Sequence, residues 1–74
     1  MAKAKVTFDA ITWTVVPSNS SGYFAVFYGM RNGVRQATLD IFKRPTEEEC
    51  FTEAQKVKDR YLAEGYPVAY CKGD

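Results

Sequence analysis

The chain has 74 residues, 46% of them hydrophobic and 15% aromatic, with ten Lys and Arg against nine Asp and Glu for a net charge of +1. These values describe one globular domain with one small core, exclude a second domain and a disordered chain, and give no global pull toward nucleic acid or anionic lipid. The charge is nonetheless uneven: Lys3, Lys5, Arg31, Arg35, Lys43 and Arg44 stand against only Asp9 and Asp40 through residue 44, after which acidic residues outnumber basic ones seven to four.

Residues 1–4 are expected to be flexible, and the start MAKAK lacks the apolar stretch of a secretory signal. No apolar run approaches the roughly 20 residues that cross a bilayer, so the expected location is the cytoplasm, away from membranes. A first strand is predicted from about Lys5 to Val16. Val6 and Phe8 share one parity while Ile11, Trp13 and Val15 share the other, which predicts a β-bulge around Asp9-Ala10. The small polar residues from Pro17 to Gly22 form a connection.

Two further strands, Tyr23 to Met30 and Val34 to Phe42, flank Asn32-Gly33, a pair suited to a type I′ turn because both central residues there need φ > 0. An unbroken register counted outward from that turn pairs Tyr28 with Ala37, Val26 with Leu39 and Phe24 with Ile41 on one face, read as the core. The opposite face then pairs Phe27 with Thr38, Ala25 with Asp40 and Tyr23 with Phe42, a mixture too polar for a core and too aromatic for an idle surface.

Pro45-Thr46-Glu47-Glu48-Glu49 opens a helix, with Thr46 as N-cap, Glu49 in the capping-box position and three carboxylates facing the positive end of the dipole. Cys50, Ala54, Val57 and Tyr61 recur at i, i+4, i+7 and i+11, flanked by Phe51 and Leu62, as one apolar stripe. Gly65 ends the helix, and Tyr66 to Cys71 forms a short strand in which Pro67 requires either an edge position or its own place among the first residues. The expected class is α+β: a three-stranded antiparallel meander, one helix on one face and a short C-terminal edge strand, in the order β-β-β-α-β within a single domain spanning 1–74. The last strand joins beside either the first or the third.

The chemistry-bearing residues are few. Without histidine there is no ordinary nucleophile pair and no standard four-ligand zinc site, and no phosphate loop or nucleotide fingerprint is present. The expectation is a protein that is not an enzyme and needs neither metal nor cofactor. Cys50 and Cys71 read as reduced, buried thiols, with a disulfide between them as the competing reading, since a rising helix and a returning strand bring the two toward one level.

The weight falls on binding. One helix covers one sheet face, so Tyr23, Phe27 and Phe42 are expected on the other as anchors for a partner protein, with Thr38 beside them and Arg31 and Arg35 steering from the turn. A homodimer through the same face is an alternative. In size and in its missing catalytic groups the chain is similar in format to the small inhibitors that phages make against host machinery, anti-CRISPR proteins included, which implies inhibition by steric occlusion.

Four pieces carry a resemblance of another kind: the aromatic run Tyr23-Phe24-Ala25-Val26-Phe27-Tyr28, the turn Asn32-Gly33-Val34-Arg35, Phe42 ending the third strand, and Thr46-Glu47-Glu48-Glu49-Cys50 opening the helix. From Trp13 through Leu62 the chain resembles the Arm-type, AP2-like DNA-binding domain at the N-terminus of tyrosine recombinases. That resemblance implies a three-stranded sheet lying in the DNA major groove with the helix behind it. Arg31, Arg35, Gln36, Thr38, Lys43 and Arg44 would then be the DNA contacts.

Overall fold

The computed structural model describes residues 8–71. The expectations for residues 1–4 and for a strand across residues 5–7 lie outside them. The described chain runs β1 (Ala10–Pro17), β2 (Tyr23–Arg31), β3 (Val34–Arg44), α1 (Glu47–Ala63) and β4 (Val68–Tyr70). The four strands form one sheet in the order β3-β2-β1-β4, antiparallel except that β4 runs parallel to β1. The α+β class and its β-β-β-α-β order follow, and the last strand sits beside the first. No helix among the described residues is long and apolar enough to cross a membrane.

The local signals are read as expected. Asn32 and Gly33 have φ of 54° and 76°, both positive as a type I′ turn requires. Thr46 Oγ1 accepts the Glu49 N–H at 3.1 Å, which satisfies one of the orphan donors of α1. At the other end Gly65, at φ 98°, lets its N–H reach the Leu62 carbonyl and the Tyr66 N–H reach the Tyr61 carbonyl, the two bonds of a Schellman motif. The chain bends at Asp9, whose N–H bonds to the Met30 carbonyl, and this bend brings Phe8 to the same side as Ile11 without a register shift in β1.

One face of the sheet is closed by α1, and it is not the face the hairpin register alone suggested. The core comprises Ile11, Trp13 and Val15 of β1, Ala25 and Phe27 of β2, and Cys50 and Ala54 of α1, with Tyr23, Leu39, Phe42, Phe51, Val57, Tyr61 and Val68 packed around them. Phe27 is 0% exposed. Its ring stacks on Trp13 at 5.5 Å between centroids and meets Tyr61 of the helix at 5.9 Å. Tyr23, Phe27 and Phe42 therefore line the core side, and their expected role as anchors on an uncovered face is corrected.

The register of the β2–β3 hairpin also departs from the unbroken count. It holds for Arg31↔Val34 and Met30↔Arg35, then slips by one residue between Met30 and Gly29 and again between Tyr28 and Phe27. Gln36 and Leu39 are the extra residues on β3, so Thr38 lies opposite Tyr28, Asp40 opposite Phe27 and Phe42 opposite Ala25. Thr38 thereby leaves the Phe27 row.

The cysteines do not pair. Cys50 is buried as expected, with its thiol 3.6 Å from the Tyr23 carbonyl, but the expected burial of Cys71 is corrected: it is exposed just past β4, where the sheet ends, and its N–H bonds to the Trp13 carbonyl. Tyr23 lies opposite Pro17, whereas Cys71 follows Tyr70, the partner of Trp13. The two thiols thus sit about three residues, or roughly 10 Å, apart along β1, beyond disulfide reach.

Phe27→Ala is expected to cost about 3–5 kcal/mol, the usual loss for a deleted core ring, read as a fall in the urea midpoint. Phe24→Ala on the opposite face should cost less, and equal losses would contradict this assignment of faces.

Candidate functional site

The face away from α1 is built from even-numbered residues of β1 and β2 and their partners on β3. Three cross-strand rows run over it: Val16, Phe24 and Lys43; Thr14, Val26 and Ile41; and Thr12, Tyr28 and Thr38, with Met30 and Arg35 closing the turn end. None of the helix-side core residues belongs to these rows. Ile41 is 60% exposed at the centre of β3, while Val26 on the middle strand, hedged by its neighbours, is 8% exposed.

Two cations fold across this face. The Arg35 guanidinium lies 3.9 Å from the centroid of the Tyr28 ring, and Lys43 Nζ lies 5.6 Å from that of Phe24. Lys43 also donates to Ser20 Oγ at 3.1 Å, which holds it toward the β1–β2 loop. Such cation–π placement keeps the charge near water and the alkyl stem on the rings. The surface thus presents an aliphatic and aromatic centre with positive charge along one side.

A hollow marks each end of the face. Beside Met30, a shallow cavity of about 260 Å³ is lined by Thr12, Met30, Pro67 and Ala69 among others. Beyond Phe24, a second of about 320 Å³ is lined by Ser21, Gly22, Lys43, Arg44 and Pro45. The first is mostly apolar. The second carries two cationic residues, of which Arg44 belongs to the helix side: its guanidinium stands 4.9 Å over the Phe42 ring and 3.8 Å from Glu53.

The predicted site residues therefore divide. Thr38 is exposed in the Tyr28 row, Arg35 and Lys43 lie on the uncovered face, and Arg31 and Gln36 are exposed at the turn and at the first bulge. Tyr23, Phe27, Phe42 and Arg44 lie on the helix side. Phe24, Tyr28 and Ile41, which sequence reasoning had assigned to the core, are the large side chains that the site gains. The signal that could have found them is the shared parity of Ile11, Trp13 and Val15.

Asp40 has an electrostatic part in this. On the helix side of β3, its carboxylate accepts the Tyr61 hydroxyl at 2.5 Å and pairs with Arg60 at 3.3 Å. The uncovered rows carry Arg35 and Lys43 and no carboxylate at all. Burial, then the bond to Asp40, pushes the Tyr61 phenol above its ordinary value, and burial does the same for the Cys50 thiol against the opposing effect of Arg44.

Comparison with protein-family models, curated proteins and solved structures finds no match to the chain.

Because the folded chain holds the Tyr61 proton more tightly than the unfolded one, this group's contribution is complete below about pH 10 and is lost as pH rises through its folded value. Denaturant midpoints measured across alkaline pH are expected to fall less steeply above pH 10 in Tyr61→Phe than in the parent protein. Thiol titration gives an independent check of the fold. Cys71 should react with a chromogenic disulfide under native conditions and Cys50 only in denaturant, whereas two unreactive sulfurs in the native chain would indicate a disulfide.

Proposed function

We propose that this domain is a non-enzymatic protein-binding module that engages its partner through the sheet face α1 leaves uncovered. The observation that carries this reading is the row of Phe24, Val26, Tyr28 and Met30 along β2, flanked by Val16 and Ile41, on a side where no element of the described chain packs. Ile41 is exposed and Phe24, Tyr28 and Met30 are partly exposed around a buried Val26, and aromatic, Met and Arg side chains are the types enriched in interface cores. Phe24, Tyr28 and Ile41 take the anchoring role, with Arg35 and Lys43 at their side. Such a module works by occlusion, covering a functional surface of its partner as a small phage inhibitor of host machinery would.

A second reading is nucleic-acid binding by the same face, in the manner of the AP2-like arm domains. One observation favours it: with Asp40 turned to the helix, no carboxylate stands on the uncovered rows to repel phosphate. Against it stands the small number of cations. Two or three phosphate contacts release few counterions and support a salt slope of only about −2 to −3.

A photo-crosslinking amino acid placed at Phe24 or Tyr28 is expected to give a discrete covalent product in cells that make the protein, while the same group at Leu62 on the helix gives none. The product should be degraded by protease and resist nuclease, and nuclease sensitivity would favour the second reading. Phe24→Ala or Tyr28→Ala should weaken partner binding by more than about 1 kcal/mol if either ring is a true anchor. Products from Leu62 alone would move the interface to the helix.

A further inference from the structure

The uncovered face is asymmetric, and its asymmetry describes what it binds. At the Met30 end the hollow between β1 and β4 is lined mostly by apolar surface, Met30, Pro67 and Ala69 among others, with Asp9 and Thr12 at its polar side, and suits one apolar side chain. At the Phe24 end the hollow is bounded by Lys43, held over the Phe24 ring and against Ser20. From Met30 to Phe24 along β2 the separation is six residues, about 20 Å. Among the described residues, two cations with no carboxylate in their rows, Arg35 and Lys43, stand on the β3 side of that path.

We infer that the occupant of this face is a protein segment in which an apolar anchor seats beside Met30 and carboxylates lie against Arg35 and Lys43. Resting on the protein-binding reading above, this inference specifies the chemistry of the partner.

Charge complementarity excludes the simplest alternative, two copies joined face to face. Such a pairing would set the cations of each copy against described rows that carry no carboxylate, with Asp9 only at the margin of the Met30 hollow, and like charges brought together in an interface oppose association. Nucleic acid fits less well for a different reason. The middle of the face is aliphatic, with Val26 and Ile41 directly between the two rings, and these groups meet neither phosphate nor the polar edges of bases. Carboxylates at the margin of an apolar strip satisfy both parts of the surface at once: the anchor and its neighbours desolvate the centre, while the charges stay at the rim, where they guide encounter and fix register.

The test is selection of a phage-displayed library of random peptides, long enough to span the face, on the folded parent protein. The expected result is enrichment of sequences that combine a large apolar residue with two or more Asp or Glu. Their binding should fall at least about tenfold in the double variant R35E/K43E, recover in part in R35Q/K43Q, and survive addition of random-sequence duplex DNA. Backbone amide shifts on titrating an enriched peptide should map to β2 and β3 and spare α1. Enriched peptides that map to this face but are neutral or basic would overturn the chemistry while leaving the protein-binding reading in place. Peptides mapping to α1, failure to enrich any peptide, displacement by the duplex, or concentration-dependent dimers that R35E/K43E strengthens would overturn the inference itself.

Discussion

Contact between Trp13 and Phe27 is the constraint from which the rest of the molecule follows. The two residues are directly opposed in the β1–β2 ladder and their rings stack, so they must share a face, and both large rings are buried there. Once they are inside, α1 has one side on which to lie. The helix crosses where the side chains are smallest: Ala25, Cys50 and Ala54 are all fully buried, and Phe51 and Tyr61 reach down on either side of them to Trp13 and Phe27. Tyr70 completes the ring around Trp13 at 4.8 Å, which gives the three-residue β4 a reason to dock at this edge.

Much of this was legible residue by residue. The turn at Asn32-Gly33, the Thr46 cap, the stripe from Cys50 to Tyr61 and the Gly65 stop each depend on local chemistry that the sequence carries in a few neighbouring positions, and each stands where those positions put it. The face of the hairpin was harder to read because it depends on a non-local pairing. Viewed by itself, the hairpin has Thr38 and Asp40 on one side and Leu39 and Ile41 on the other, and polarity points to the wrong core. The deciding signal lies one strand away. Ile11, Trp13 and Val15 share odd parity, and the connection from Pro17 to Tyr23 joins odd residues of β1 to odd residues of β2. The slips at Gln36 and Leu39 left no comparable mark, since neither residue nor its neighbours is a glycine or proline.

Asp40 shows how an apparently misplaced charge can still belong to the fold. On the core side of an edge strand it stays at the margin of the helix, half-buried, where the Tyr61 hydroxyl and the Arg60 guanidinium supply donors. The ion pair with the exposed arginine adds little by itself, whereas the hydroxyl-to-carboxylate bond is of the stronger, charge-assisted kind and ties the last turns of α1 to β3. A structural clamp on one side has an electrostatic consequence on the other. With its only β3 acid drawn toward the helix, the opposite surface keeps Arg35 and Lys43 unopposed.

The same strand bears on how that surface is used. Among the described strands β3 lies at the sheet edge, and such an edge offers unpaired main-chain groups to any extended segment that fits them. Two bulges within its eleven residues break the even spacing such pairing needs, and they increase the local twist. Only the stretch beyond the second bulge keeps regular geometry, and it ends at the helix. Recognition through main-chain addition is therefore disfavoured along most of β3, while the side chains it carries over the face are held in place by their pairing with β2. The bulges close one route of association and, by moving Thr38 into the Tyr28 row and leaving Ile41 beside Val26, complete the surface that serves the other.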